Sequence, residues 1–434
     1  MALSSTQRLA SFTLTLTSDA SPIREIGMHR RTNTITPPLR GQTIQGTTHV
    51  TQYNKLKQAS IFTASALALA VASASHAVDF EVGDTKASVY GYAKLDIIYD
   101  VDADMGNLVT HSNIKLDGEP SQDGHFNMHA YQSRIGFKTV TPVSGSDLVT
   151  QIEGDFYGTN NNFRLRHAYG SWNGILAGQY WTNFYGFVAG TPTIDFTGPP
   201  GVGNQARQPQ LRYTAGNFSM AIEDPDTLGG SEDTINATQV SEDVAKSSMP
   251  DVTARYTDTS GPFKYSASTV LRRVEFDAEG DTTATVDDDS AFGWGVALEA
   301  AMAVNEAVTL RAGVTHGDGL GGYMNVSPET SPAYIDTNGD LETIESTGGT
   351  LGASIKAGPG TINASYNVST VDLDDADYYN DDANDTFETA YLNYIWSPAD
   401  RISYGIETSW ASRETKGDND GDAVRIQGMV MYSF

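Results

Sequence analysis

From residue 86 to the C-terminus, apolar and polar side chains alternate with a period of two in segments of about ten residues, the pattern of strands that are apolar on one face only. Sixteen such segments can be placed, near 86–100, 125–140, 146–157, 162–172, 174–183, 207–215, 217–224, 251–258, 262–276, 290–303, 306–316, 347–357, 360–371, 386–396, 400–411 and 423–434. Their connections alternate between short and long. The short ones are TPVSGS at 141, NG at 173, GN at 216, DTSGP at 258, VNE at 304, GPG at 358 and SPAD at 397, and most carry turn residues. The others run over 101–124, 184–206, 225–250, 277–289, 317–346, 372–385 and 412–422, and only the link near 158–161 is short among them. Seven turns on one rim and eight loops on the other predict an all-β fold: a 16-stranded antiparallel transmembrane β-barrel with both strand-bearing ends at the turn side. The last segment, AVRIQGMVMYSF, places Val424, Ile426, Val430, Tyr432 and Phe434 on one face and ends on an aromatic residue, as bacterial outer-membrane proteins do. A secreted soluble β-sandwich is the alternative, but it has no need of an apolar face on every strand.

Two features of the N-terminal region change the domain picture. Residues 54–77 read as Lys55 and Lys57, an apolar run from about Ala59 to Ala72, then small residues ending at Ala77, the order of a secretory signal peptide. That run is too short to span a bilayer as a helix, which takes about 20 residues. Residues 1–53 precede it and are expected to be a mis-assigned leader, with the true start near Val50; residues 78–434 form the barrel domain.

The chain of 434 residues carries 27 Lys plus Arg against 54 Asp plus Glu, a formal net charge of −27. Cleavage after Ala77 leaves 20 basic and 52 acidic residues, so nucleic acid is excluded as a natural partner. With no cysteine there is no disulfide scaffold, thiolate metal site or Cys nucleophile, and neither a cofactor nor a metal is expected. The 21 tyrosines and 42 glycines suit strands, turns and interfacial girdles.

Parity then decides what the basic residues do. In the fourth segment Phe163, Leu165 and Tyr169 share one face and Arg164 and Arg166 the other; in the second, Tyr131, Ile135 and Phe137 oppose Arg134 and Lys138; in the sixth, Leu211 and Tyr213 oppose Gln208, Gln210 and Arg212. With the apolar sets toward lipid, these cations point inward, as do Lys94, Arg255, Lys264, Arg272, Arg311, Lys356 and Arg425. The acidic runs at 276–290, 372–385 and 414–422 fall in external loops. Two readings of the arginines remain open. They form a lumenal ladder with Glu153, Asp155 and Asp96, or they attract anions at a constriction, where guanidinium forks suit carboxylates. The loop YGFVAGTPTIDFTGPPGVGNQA (185–206) has a single acid, Asp195, and is rich in Gly, Pro and aromatics, including Phe196, Pro199 and Pro200. It is expected to fold into the barrel as a constriction loop, the alternative being an ordered external cap.

The runs RLRHAYGSWNGILAGQYWTNF (164–184), TPTIDFTGPPG (191–201) and QLRYTAGNFSMAIEDP (210–225), with KASVYGYAKLDIIYD (86–100), resemble the DcaP-like family of outer-membrane porins. The resemblance implies a homotrimeric porin of the bacterial outer membrane, among lipids and lipopolysaccharide, that passes small anionic solutes such as dicarboxylates. It carries Arg134, Arg164, Arg166, Arg207 and Arg212 over as constriction residues. An N-terminal coiled-coil extension found in some members is absent, since only VDFEVGDT (78–85) precedes the first strand.

Other chemistries find little support. No G-x-S-x-G, H-E-x-x-H or P-loop motif occurs. A lipid hydrolase would need an outward Ser and His near the rim, for which His167 and Ser171 have the parity. DTNGDLE (336–342) and DNDGD (418–422) resemble fragments of Ca²⁺ loops, but Leu341 stands where an EF-hand needs Gly. A surface barrel with a plugged lumen and adhesive loops is the remaining alternative.

Overall fold

The computed structural model describes residues 77–225, 235–236, 245–278 and 285–434; the leader and almost all of the signal segment expected from the sequence lie outside this range. Sixteen strands form the barrel. They are β1 (Thr85–Asp100), β2 (His125–His129 continuing as Arg134–Val143), β3 (Ser146–Asp155), β4 (Arg164–Trp172), β5 (Ile175–Trp181), β6 (Arg207–Ala215), β7 (Phe218–Glu223) and β8 (Asp251–Ser260). They continue as β9 (Phe263–Phe276), β10 (Asp289–Ala303), β11 (Val308–Asp318), β12 (Glu345–Ala357), β13 (Gly360–Val371), β14 (Asn384–Ala399), β15 (Ile402–Thr415) and β16 (Asp420–Ser433). Each pairs antiparallel with its sequence neighbour, and β16 closes on β1 over Asp100↔Arg425 to Tyr92↔Ser433. Phe434 completes the seam by exchanging backbone hydrogen bonds with Gly91 at 3.2 and 3.0 Å.

Local chemistry explains the short rim. Asn173 and Gly174 both have positive φ, 50° and 84°, the requirement of a two-residue hairpin whose twist matches the strands. Exposed Ile135, Ile152, Leu165, Leu211, Leu271, Leu298, Leu351, Leu392 and Ile406 form the outward apolar belt. Near the short turns the outer surface turns aromatic: Tyr394 stacks on Trp396 with centroids 5.2 Å apart, and Trp396 meets Tyr404 at 5.7 Å. Such a girdle marks a membrane interface.

Three departures from simple alternation matter. Residues 78–82, read as a spacer, form a strand Val78–Val82 in a hairpin with the start of β1. In β4 the register against β3 slips by one, because Glu153 pairs with His167 and Gly154 with Leu165. This bulge leaves Arg166 as the extra residue and reverses parity beyond it. His167 and Tyr169, expected outward, therefore face the interior: His167 is buried, and the Tyr169 hydroxyl donates to Gln151 at 3.0 Å. The outward pairing of His167 with Ser171 is thereby lost. Likewise Tyr131 lies in the break of β2 rather than in a strand, stacked on buried His129 at 4.7 Å.

Candidate functional site

The third loop, residues 182–206, enters the barrel and lies on its inner wall, with Phe184, Tyr185, Ile194 and Val202 buried. Three inward carboxylates hold its backbone. Glu223 accepts from Asn183 N at 2.6 Å and from the Thr182 hydroxyl at 2.7 Å. Glu299 accepts from Gly186 N and Val188 N at 2.6 Å and from Ala189 N at 2.8 Å. Glu407 accepts from Ile194 N and Asp195 N at 2.8 Å, and from Asn393 Nδ2 at 2.8 Å. Phe187, with φ of 57°, makes the turn that lets successive N–H groups converge on Glu299, an anion-binding nest. Hydrogen bonds to a charged acceptor are worth on the order of 2 kcal/mol each, so these contacts offset part of the cost of burying the carboxylates.

Small wall residues allow the loop to lie flat. A Cβ on Gly352 would sit 1.9 Å from Thr191 Oγ1, and one on Gly348 would sit 2.4 Å from Gly201 Cα. A Cβ on Gly405 would be 2.6 Å from Ile194 Cδ1.

Other loops, expected to be wholly external, send segments inward as well. In the sixth loop (319–344), buried Leu320, Tyr323 and Met324 pack on Phe184. Asn325 bonds Gly201 and Val202 through its backbone, and its side chain donates to Thr197 O at 3.2 Å and Pro199 O at 2.8 Å. In the first loop (101–124), Met105, Val109 and Ile114 are buried against Ala411 and Ala423. Its His111 stacks on Phe387 and bonds Thr389 at 2.7 Å, and burial lowers its pKa from 6.5 to about 4.

The arginines expected at the site divide into two groups. Arg164 holds both oxygens of Asp155, at 2.7 and 3.2 Å. Arg166 bridges Glu153 at 2.8 Å and Asp155 at 2.9 Å, and Arg134 lies 3.4 Å from Glu153. Here three guanidinium groups face two carboxylates. Arg207 and Arg212 have no carboxylate within ion-pair distance among the described residues. Arg207 lies on the Trp181 ring, 4.6 Å from its centroid; Arg212 lies 5.5 Å from Tyr180 and bonds the Trp181 carbonyl.

The expected loop residues divide too. Asp195 is buried, paired to Arg425 at 3.2 Å, and accepts from Val109 N at 3.2 Å. Arg425 also holds Asp100 at 2.6 Å, so β1, β16, the first loop and the third loop meet there. Phe196 is half-exposed, stacked on Tyr157 at 4.9 Å and 5.6 Å from the Arg166 guanidinium. Pro199 and Pro200 are buried, and the carbonyl of Pro199 accepts from Asn325 of the sixth loop. The residues missed from sequence are Glu223, Glu299, Glu407 and Asn325. An inward-parity Glu in otherwise apolar segments, VALEAAM and YGIETSW, was the available signal.

Among the described residues, no group of three or more His, Cys, Asp or Glu is arranged to hold a metal ion. A closed sixteen-stranded barrel with an apolar belt, a polar interior and an inward third loop defines a channel of the outer-membrane porin class. The family model described as DcaP outer membrane protein matches residues 45–434, and the chain belongs to that family. The crystal structure of the outer membrane channel DcaP of Acinetobacter baumannii is similar, with a TM-score of 0.70 and 27% identity, covering 82% of this chain and 99% of that one. The anion-selective porin from Comamonas acidovorans (TM-score 0.50, 11% identity, 81% and 100% covered) shares the fold. So does Salmonella typhi OmpF in complex with daunomycin (TM-score 0.51, 13% identity, 82% and 100% covered). No curated protein sequence matches this chain.

Proposed function

We propose that this outer-membrane channel favours small anions, dicarboxylates among them, at a constriction between the third loop and the arginines of β2, β4 and β6. The observation that carries this reading is the imbalance of charge on that arc of the wall: Glu153 and Asp155 are already shared by Arg134, Arg164 and Arg166, and among the described residues Arg207 and Arg212 have no carboxylate within ion-pair distance. Low-dielectric walls focus the field of these nearby charges, while the acidic loops act across salt that screens over about 8–10 Å. Arg164 and Arg166 then belong largely to the scaffold, and Arg207 and Arg212 to the solute. The two expectations drawn from the sequence, ladder and anion site, thus apply to different members of one row. Asp195 and the two prolines act by holding the loop, and Phe196 borders the row.

Homotrimeric assembly and contact with lipopolysaccharide belong to the same reading and rest on the family resemblance, while export by a signal peptide ending at Ala77 rests on the basic, apolar and small-residue order of residues 54–77. The porin reading is tested in planar bilayers under a KCl gradient. Open steps in multiples of three and a reversal potential favouring chloride are expected. Cation preference contradicts the anion reading, and absence of conductance favours a plugged, adhesive barrel.

A further inference from the structure

The wall carries a second set of cations beside and below the third loop. Arg255 on β8, Lys264 on β9 and Arg311 on β11 are half-buried and share inward parity with Thr253, Ser266 and Gly313. Among the described residues none of the three has a carboxylate within ion-pair distance. Arg255 Nη1 donates to Tyr185 O, and Arg311 Nη1 donates to Ser354 Oγ at 2.6 Å.

Their level along the barrel follows from where the loop touches the wall. A Cβ on Gly186 would meet Ser266 Oγ at 2.4 Å, and a Cβ on Gly313 would meet that of Ala189 at 2.7 Å. Lys264 and Arg311 stand two residues nearer the periplasmic turns than Ser266 and Gly313 on the same strands, and thus just beneath the loop. Arg255, level with Ser268, holds the loop's underside. The nearby carboxylate, Glu299, directs its oxygens to the loop's N–H groups, so its capacity as an acceptor is already used there. Arg212 lies close enough to Arg255 to interact electrostatically, which links this set to the arginine row above.

We propose that Arg255, Lys264 and Arg311 form a second anion-binding station on the periplasmic side of the third loop, taking small carboxylates or inorganic anions as they leave the upper row. This rests on the anion reading of the lumen and extends it. A solute held by several guanidinium groups leaves slowly unless another favourable position lies within reach, and conduction through several weak sites meets that need. Half-buried cations without carboxylate partners are the groups that gain most from a passing anion.

The test is influx into proteoliposomes of succinate and of uncharged arabinose, measured for wild type, for Arg255→Gln with Lys264→Gln and Arg311→Gln, and for Arg255→Lys with Arg311→Lys. The neutralised variant should admit succinate about fivefold more slowly with arabinose influx unchanged, and the charge-conserving variant should keep the wild-type ratio. An unchanged succinate rate, or equal slowing of both solutes, overturns the second station. If wild type itself prefers cations in the bilayer measurement, the underlying anion reading fails; if wild type prefers anions and the neutralised variant matches it, only the second station fails.

Discussion

The arc of wall from β2 to β7 and the arc from β9 to β16 enclose the same lumen with different side chains. The first presents long cations on aromatic faces: Arg134 over Tyr92, Arg164 over Tyr157, Arg207 over Trp181 and Arg212 over Tyr180, at 4.6–5.6 Å. The second presents glycines at 313, 348, 352 and 405 and glutamates at 299 and 407 where the third loop lies on it, with its cations Lys264, Arg272, Arg311 and Arg425 spread over β9, β11 and β16. Glu153 and Asp155 in the first arc are matched by guanidinium groups, whereas Glu299 and Glu407 in the second, like Glu223 at the edge of the first, accept from backbone N–H groups of the loop. The lesson is that charge in the lumen cannot be read from a residue count. What matters is whether each charge has already been answered by the protein.

The largest expected effect breaks the second arc. Glu299→Ala leaves three N–H groups without their acceptor and should cost on the order of 4 kcal/mol, seen as a lowered thermal unfolding temperature in detergent, with noisier open-channel current. Arg207→Gln should cost no more than about 1 kcal/mol in the same assay, since among the described residues it has no carboxylate at ion-pair distance and loses only its contact with the Trp181 ring. Equal losses would erase the contrast between the arcs.

His111 bears on how the first loop packs against the wall. Its folded pKa of about 4 lies below the unfolded value of 6.5, so the unfolded chain binds the proton first as pH falls. Stability is full above about pH 6.5 and declines as pH drops toward 4, by up to about 3 kcal/mol. Proteolysis of the first loop followed between pH 7 and 4 should accelerate in wild type and lose that dependence in His111→Gln; a flat wild-type profile would contradict the buried, neutral imidazole.

Gly352→Val should cost about 2 kcal/mol and alter single-channel conductance, because its side chain would occupy the place of Thr191. Unchanged conductance would mean that the loop does not depend on that stretch of wall.

Much of this was legible in the sequence. Period-two alternation located all sixteen strands within a few residues, because each must keep an apolar face toward lipid. Turn chemistry separated the rims, and the low charge of 185–206 marked the loop that enters the barrel. Alternation failed at Arg166, where one extra residue sends His167 and Tyr169 inward; a bulge is set by the register against the neighbouring strand, which the order of residues within one strand does not show. The division of the arginines was hidden for a related reason. Parity shows that Arg164 and Arg207 both face the lumen, but only strand pairing brings Asp155 opposite Arg164 and places Trp181 opposite Arg207. The apolar segments of the first and sixth loops, MGNLV and LGGYMNV, carried a signal that was masked by the acidic residues around them. Glu223, Glu299 and Glu407 were missed as anchors of the loop because they accept from its backbone N–H groups, which no side-chain pattern records.

The division of the arginine row is tested most directly by reversal potentials in a KCl gradient for two variants beside wild type. Arg207→Gln with Arg212→Gln removes charges that have no carboxylate within ion-pair distance among the described residues, whereas Arg164→Gln with Asp155→Asn removes an ion pair without altering net charge. The first should reduce the chloride-to-potassium permeability ratio about fivefold, a change on the order of 1 kcal/mol, and the second should leave it near the wild-type value. A wild-type ratio in the first variant with a collapsed ratio in the second would contradict the account.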